Sequence, residues 1–209
     1  MLKVHEAYQD PLYVHLVMEM YTAGDLFDQI IQIGSFSEKK ACDIIQQLLE
    51  TINYAQKRNL VHRDIKPENI LLDVLPDGSL VSKLINWGSA VSIQEGDQLQ
   101  KQIGTPLFMA PEMIRKRYDM RCDIWSIGVI MYILLSGKSP FIGKTLDEIY
   151  ESVTNGAPDY TSENWEAVSQ NAKDLVKNLL KTHPDHRFTT YEALKHPWFK
   201  AWNSKEGIL

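Results

Sequence analysis

One segment of the sequence, residues 124–135, is apolar on nearly every face of a helix, with Ser126 and Gly128 as the exceptions. A helix that is hydrophobic all round must be buried, either in lipid or in the core of a protein. The segment is about twelve residues long, whereas a membrane span needs roughly twenty. The sequence therefore predicts a core helix around which the rest of the chain packs, and no membrane span.

The composition fits a globular protein built around such a helix. Of 209 residues, 44% are hydrophobic and 23% are charged, so we expect one domain, or one domain with an appended subdomain. The formal net charge of −5 argues against a general binder of nucleic acid or anionic membranes. Two cysteines are too few for a disulfide scaffold, and the N-terminus has no apolar signal-peptide core. We therefore expect an intracellular, cytoplasmic protein.

Hydrophobic periodicity predicts a mainly helical chain with a few strands. Apolar residues recur with helical spacing from Ala41 to Ala55, and this helix begins either in a capping box of Ser35 and Glu38 or at Ser37. Further helices are predicted at residues 25–33, 145–154, 169–181 and 189–195. Strands are predicted at residues 2–8, 13–20, 70–73 and 82–85, the last two as a hairpin. Residues 86–111 lack periodicity and form a long loop, which is where function usually resides.

The run HRDIKPEN, from His62 to Asn69, matches the catalytic-loop signature H-R-D-x-K-P-x-N. Asp64 can accept the proton of an attacking hydroxyl, and Lys66 can neutralise charge on a transferred phosphoryl group. Asn69 offers an oxygen ligand to magnesium, a hard cation. A solvated polar loop without chemistry is the alternative, and a match of this length disfavours it.

With this loop the sequence resembles the protein kinases, and further motifs follow in the order that the family has. The runs GTP at 104–106 and APE at 110–112 resemble the end of an activation segment, and Asp123 opens the apolar helix as DIWSIG. Arg187 matches the late arginine that pairs with the glutamate of A-P-E, and HPWF at 196–199 resembles the end of the domain. The runs VMEMYTAGDLFDQI, FSEKKA and AKDLVKNLL are most similar to the calcium-dependent and calmodulin-dependent protein kinases.

The resemblance implies a mainly α (α+β) fold, namely a kinase C-terminal lobe with a residual β-hairpin of the N-terminal lobe. Residues 1–20 would hold the last small-lobe strands and the start of the hinge, and residues 21–202 the large lobe. The activation segment would be 86–112, and 203–209 a C-terminal tail. No G-x-G-x-x-G loop and no V-A-I-K lysine occur in these 209 residues. We therefore expect this chain to be inactive or very weak by itself.

The triplet Asn86-Trp87-Gly88 stands where the family has D-F-G. The aspartate of D-F-G supplies a carboxylate to magnesium, so the resemblance assigns Asn69 and Asn86 as the metal ligands. A unit charge about 4 Å from a divalent ion is worth several kcal/mol at an effective dielectric of about 20, so the neutral Asn86 should weaken metal binding by orders of magnitude. Trp87 keeps a large apolar ring. The alternative is that this loop has lost its role in metal binding and serves only in packing.

The resemblance also assigns an ATP site, and each assignment has a simpler alternative. Met18 matches the gatekeeper, and Glu19 and Met20 the hinge, although ordinary strand packing explains them equally well. Asp25 matches the acid that contacts ribose, or it caps the following helix. Leu71 matches the floor of the adenine pocket, although a buried leucine there is core in either case.

Three further assignments concern the loops around this pocket. Ile85, just before Asn86, is assigned to the nucleotide site. Glu68 matches the acid that selects a basic residue upstream of the phosphorylated Ser or Thr, or it is a solvated charge. Thr105 and Glu112 belong to the activation segment, and His62, Asp123 and Arg187 are assigned structural roles.

Arg63, next to Asp64, usually marks kinases whose activation segment is controlled by a negative charge. Ser89 and Ser92 are the phosphorylatable residues between Asn86 and Gly104. Glu95 and Asp97 could instead supply permanent negative charge, which favours ordering of this segment without phosphorylation.

Three functions remain open. The chain could be a piece of a working Ser/Thr kinase, part of a pseudokinase, or a large-lobe module that binds proteins without catalysis. ATP and Mg²⁺ are the implied cofactors, weakened or lost here, and the implied partners are protein substrates with basic residues upstream of Ser or Thr. No EF-hand pattern follows Trp202, so calcium-sensor regulation would lie outside this chain.

Overall fold

The computed structural model describes residues 3–94 and 96–203. Its helices are α1 Leu26–Ile33, α2 Glu38–Gln56, α3 Pro111–Ile114, α4 Cys122–Ser136, α5 Leu146–Asn155, α6 Gln170–Leu179, α7 Thr190–Leu194 and α8 Pro197–Asn203. Its strands are β1 Val4–Gln9, β2 Val14–Met18, β3 Leu60–Val61, β4 Ile70–Val74, β5 Leu80–Leu84 and β6 Val91–Ser92. They form three antiparallel pairs, β1–β2, β3–β6 and β4–β5. The predicted mainly helical fold with a small β-hairpin is confirmed.

The apolar segment forms the core helix α4, which the sequence predicted. Every residue of α4 except Ile133 is buried, and α2 and α6 pack against it. A Cβ on Gly128 would lie 2.9 Å from the Cβ of Leu179, so the glycine permits the close approach of α6. Gly137 ends α4 in the left-handed region, with φ of 70°, and its N–H donates to the Ile133 carbonyl. No helix within the described residues has the length and apolar character that crossing a membrane requires.

Helix α2 lies beside α4 and begins at Ser37 rather than at Ser35. The Ser37 side chain accepts a hydrogen bond from the Lys40 N–H, which makes Ser37 the N-cap. Glu38 does not close a capping box with Ser35. Its carboxylate accepts hydrogen bonds from the backbone N–H and hydroxyl of Ser169 at 2.7 and 2.8 Å, and from the Trp198 indole at 2.7 Å. Glu38 therefore ties the start of α2 to the C-terminal helices.

The predicted helices and strands are present, with ends that differ by a few residues. The sequence did not predict the short helices α3 and α8 or the two-residue strands β3 and β6, because such elements are too short to generate a period. The strand predicted from Leu2 begins at Val4 within the described residues, and Lys3 is not part of it. Leu2 lies outside the described residues. Of the predicted tail at 203–209, Asn203 ends α8 and the other residues lie outside the described part of the chain.

The β1–β2 hairpin stands apart from this core. Every residue of both strands is exposed, including Val14, Leu16 and Met18. The end of the hairpin is tethered to β5 by the Glu19 carboxylate, which lies 3.3 Å from the Lys83 ammonium. The packing that holds the large helical body together therefore does not involve these strands.

Candidate active site

The catalytic-loop residues are held in place by the core helix α4. Asp123, in its first turn, accepts hydrogen bonds from the backbone N–H groups of His62 at 2.8 Å and Arg63 at 2.9 Å. These bonds stabilise the loop where Arg63 adopts a left-handed conformation, with φ of 72°. Burial raises the pKa of Asp123, while His62 and the two N–H donors act in the opposite direction. Asp123 thus fixes the backbone of the two residues that precede Asp64.

The imidazole of His62 connects this loop with the Asn86-Trp87-Gly88 triplet. His62 is fully buried, and its Nε2–H donates to the Ile85 carbonyl at 3.0 Å. The Trp87 ring packs edge-on against it, with ring centroids 4.7 Å apart. The Trp87 indole N–H donates to the Leu84 carbonyl at 3.3 Å, so tryptophan takes this position without leaving its donor unpaired.

Asp64 is oriented by two neighbours that are distant in sequence. The Thr105 hydroxyl donates to its Oδ1 at 3.0 Å. The Asn69 amide donates to its backbone carbonyl at 2.8 Å and lies 3.4 Å from its Oδ2. A carboxylate fixed in this way is placed as a hydrogen-bond acceptor for a hydroxyl group. The Lys66 ammonium is instead paired with Glu68, 3.8 Å from its Oε1.

Gly104 permits the approach of the activation segment to Asp64. Its φ is 115°, and an added Cβ would lie 2.5 Å from the Arg63 carbonyl oxygen. Only glycine fits a backbone conformation and a contact of this kind. The next residue is Thr105, so the glycine places the hydroxyl that orients Asp64.

The position that corresponds to the metal-binding aspartate is occupied by the carboxamide of Asn86. Asn86 adopts the left-handed conformation, with φ of 61° and ψ of 57°, which asparagine tolerates well. Its Nδ2–H donates to Asn69 Oδ1 at 3.2 Å. The two residues assigned as magnesium ligands are thus neutral and hydrogen-bonded to each other. A hard divalent cation prefers carboxylate oxygens with free lone pairs, so this donor set fits Mg²⁺ poorly.

The guanidinium of Arg63 is bound by a backbone carbonyl rather than by an acid. Its Nε–H donates to the Ser89 carbonyl oxygen at 2.7 Å. Asp97, proposed from the sequence as a permanent negative charge, accepts a hydrogen bond from the Gln94 N–H. Glu95 lies outside the described residues. The contact with Ser89 joins the loop of Arg63 to the segment that follows Asn86.

The residues assigned to the nucleotide lie in two places. Asp25 and Leu71 face each other across an isolated β-bridge, and Ile85 donates its N–H to the Asn69 carbonyl at 2.9 Å. Asp25 is also the N-cap of α1, as its alternative interpretation states, since it accepts from the Asp28 N–H at 2.9 Å.

The residues assigned to the hinge lie at the open end of the β1–β2 hairpin, opposite its turn. Met18 and Met20 are exposed. The Glu19 carboxylate accepts a hydrogen bond from the Lys3 N–H, which lowers its pKa, and pairs with Lys83. The structure therefore groups Asp25, Leu71 and Ile85 near the catalytic loop, and leaves the side chains of Met18 and Met20 exposed.

The ion pair expected between Glu112 and Arg187 is present and buried. The Arg187 guanidinium binds the carboxylate through two hydrogen bonds of 2.5 and 3.0 Å, and the side chains are 0% and 6% exposed. Arg187 also donates to the carbonyls of Lys181 at 3.1 Å and Arg121 at 2.9 Å. The pair fastens the end of the activation segment to the loop that precedes α7.

Two features of the site could not be assigned from the sequence. The Ser89 carbonyl binds Arg63, and Thr105 orients Asp64, although both residues lie in the aperiodic loop. The Ser89 carbonyl is a backbone group that every residue has, so the residue type at position 89 does not indicate this contact. Thr105 was assigned to the activation segment by its motif, but its partner, 41 positions away, could be identified only in the folded chain.

Comparison with known proteins agrees with this geometry. The model of the protein kinase domain matches residues 1–199. The chain is 43% identical over its whole length to calcium-dependent protein kinase 5 of Plasmodium falciparum (isolate 3D7), of which it covers 36%. It is 41% identical over 95% of its length to calcium-dependent protein kinase 19 of Arabidopsis thaliana, of which it also covers 36%.

The chain therefore belongs to the protein kinase domain family. Within that family it is similar to the calcium-dependent protein kinases, as the sequence motifs predicted; calcium-dependent protein kinase 5 of Oryza sativa subsp. japonica, 42% identical over 92% of the chain, is a further example. The chain spans a little over a third of the length of these curated relatives, namely 36%, 36% and 35%.

Proposed function

We propose that these residues form the substrate-binding lobe of a Ser/Thr protein kinase of the calcium-dependent type. The observation that carries the proposal is the Asp64 carboxylate, which is oriented by Thr105 and Asn69 next to a loop that α4 anchors. An acceptor fixed in this way suits the protein hydroxyl that such a kinase phosphorylates. ATP would be the second substrate, with its ribose and adenine against Asp25 and Leu71.

In the proposed reaction a Ser or Thr hydroxyl oxygen attacks the γ-phosphorus of ATP, and the bond from that phosphorus to the β–γ bridging oxygen breaks. ADP leaves with the bond's electron pair. Asp64 accepts the hydroxyl proton, and Thr105 holds the carboxylate so that it cannot rotate away. Lys66 would turn from Glu68 to the transferred group and neutralise its charge.

Glu68 is the proposed determinant of substrate choice. Its side chain is 39% exposed, its Oε1 lies 3.8 Å from the Lys66 ammonium, and its Oε2 has no hydrogen-bond partner within residues 3–94 and 96–203. A partly exposed carboxylate with so few donors can accept the two donors of a guanidinium, which match its geometry. The proposed preference is therefore for peptides with arginine a few residues before the Ser or Thr.

This preference can be measured on the chain itself by fluorescence anisotropy. We expect a labelled peptide with the upstream arginine to bind more tightly than its alanine counterpart, and Glu68→Gln to remove most of the difference. Glu166→Gln, which neutralises an exposed glutamate elsewhere, should leave the difference unchanged. Equal binding of both peptides by the unmutated chain would refute this role of Glu68.

We further propose that the 209-residue chain by itself transfers phosphate at a negligible rate. It has no Gly-rich loop and no phosphate-binding lysine in its sequence, and Asn86 is neutral. Losing one group that stabilises the transition state costs about 10²–10³ in rate, although such effects need not multiply. Incorporation of labelled phosphate into a protein substrate by the purified chain, abolished by Asp64→Asn, would overturn this prediction.

A pseudokinase is the second candidate, because the hydrogen bond between Asn86 and Asn69 favours it. The reading frame upstream of these residues discriminates the two: an intact Gly-rich loop with a V-A-I-K lysine favours a working kinase, and degenerate versions favour a pseudokinase. The relatives are named calcium-dependent, so calcium regulation is part of the first proposal, with the sensor outside these 209 residues. An intracellular, cytoplasmic location stays a prediction.

A further inference from the structure

The orientation of the Asn69 and Asn86 carboxamides follows from the acceptors around them. Asn69 Nδ2 lies 2.8 Å from the Asp64 carbonyl oxygen and 3.4 Å from Asp64 Oδ2, and both of these atoms can only accept. Asn69 therefore directs its NH₂ group to Asp64 and its Oδ1 to the other side. There Asn86 lies 3.2 Å away and must present its own NH₂ group. The chain of hydrogen bonds from Asn86 to Asn69 to Asp64 therefore fixes the orientation of both side-chain amides.

This arrangement uses the atom that a divalent cation would need. Coordination by Asn69 requires its Oδ1, which already accepts from Asn86, and the Asn86 N–H hydrogens carry partial positive charge toward it. One lone pair of Asn69 Oδ1 is occupied by this hydrogen bond, and a cation at the other would lie close to the partly positive Asn86 NH₂ group. Asp64 is the one carboxylate that these contacts place beside Asn69, and its Oδ1 already accepts from Thr105.

We propose that Asn86 is a positioning residue whose amide replaces the divalent cation of this site. Its hydrogen bond holds Asn69, and Asn69 in turn holds Asp64, so the loop keeps its arrangement without a metal. The backbone supports this role, since Asn86 occupies the left-handed region that asparagine adopts readily. The predicted consequence is a site that is ordered in the apo protein and indifferent to Mg²⁺.

The test compares the unmutated chain with Asn86→Asp. A carboxylate at position 86 cannot donate to Asn69 Oδ1, so two oxygens would face each other and invite a cation. We expect Asn86→Asp to melt at a lower temperature in EDTA, to regain stability with Mg²⁺, and to bind Mn²⁺ at least tenfold more tightly than the unmutated chain. Free Mn²⁺ measured by electron paramagnetic resonance gives the affinity, and the melting temperature of the unmutated chain should not respond to Mg²⁺.

Asn59→Asp is the matched control. Asn59 also has a positive φ, of 59°, and is exposed, so its replacement adds the same charge at a similar φ and outside the hydrogen bonds of Asn69. It should bind no more Mn²⁺ than the unmutated chain. Equal Mn²⁺ affinity of the unmutated chain and Asn86→Asp, or binding by Asn59→Asp that matches it, would overturn the proposal.

A measurement on the unmutated protein covers the case in which Asn86→Asp fails to fold. With asparagine labelled selectively with ¹⁵N, the side-chain NH₂ resonances of Asn69 and Asn86 should not shift or broaden when MgCl₂ is added to millimolar concentration. Shifts of these two resonances would refute the proposal. Neither measurement involves a peptide or phosphoryl transfer, so its result is independent of the proposed kinase function.

Discussion

Replacing Arg187 with alanine tests how the activation segment is fastened to the helical body. In the folded protein the arginine makes two hydrogen bonds with Glu112 and one each with the carbonyls of Lys181 and Arg121. Its guanidinium also lies 5.1 Å from the ring centroid of Trp125. The alanine variant would leave a buried carboxylate and two carbonyl oxygens without these donors.

The magnitude follows from the burial of the pair. Removing one partner of a buried ion pair costs about 3–5 kcal/mol, because the other charge stays in a medium that solvates it poorly. This is a large part of the roughly 5–15 kcal/mol that stabilises a typical protein. For a chain of this size each kcal/mol lowers the melting temperature by about 2–4 °C, so Arg187→Ala should lower it by about 6–20 °C.

Thermal and urea denaturation followed by circular dichroism measure this effect, and two further variants define its cause. Lys39→Ala removes a surface pair with Asp43, in which the lysine side chain is 45% exposed, and should cost no more than about 0.5 kcal/mol. The double variant Arg187→Met with Glu112→Leu removes both charges and should recover most of the lost stability. A melting temperature of Arg187→Ala within about 2 °C of the unmutated chain would refute the reasoning.

Two glycine positions give further predictions, each measured by urea denaturation. Gly104→Ala should destabilise the chain by about 1–3 kcal/mol through its backbone conformation and its contact with the Arg63 carbonyl. Gly78→Ala has a positive φ but nothing within 4 Å of the added Cβ, so an equal loss there would show that the contact does not matter. Gly128→Ala should cost about 1–3 kcal/mol, because its Cβ would meet Leu179 at 2.9 Å, and an unchanged midpoint would contradict this packing of α4 on α6.

The sequence predicted those parts of the fold whose information is local. The helical period placed α2, and the apolar run placed α4, because a continuous buried face repeats within one element. The Glu112–Arg187 pair could be predicted from its two motifs, although they stand 75 positions apart. The family pattern supplied that contact, since no local property of either residue points to the other.

The parts that the sequence could not predict depend on contacts between distant segments. Glu38 was interpreted as a capping residue, yet its carboxylate binds Ser169 and Trp198, 131 and 160 positions away. The hydrogen bond from Asn86 to Asn69 likewise appears only when β5 has brought the two loops together. The substitution of aspartate by Asn86 was evident in the sequence, but the orientation of its amide required the position of Asp64.

The contacts that hold the catalytic loop are separate from the residues that would carry out the chemistry. Asp123 anchors the catalytic loop to α4, and the Glu112–Arg187 pair anchors the end of the activation segment. All three residues are buried. Asp64 and Asn86 are not part of the core, and their hydrogen bonds orient the side chains of the site. Substitutions at the three buried residues should therefore change stability and site geometry together, whereas changes at Asp64 should remove the proposed chemistry and leave the fold intact. The metal response of Asn86→Asp is therefore read from its Mn²⁺ affinity together with its melting temperature, because the affinity reports on the site directly.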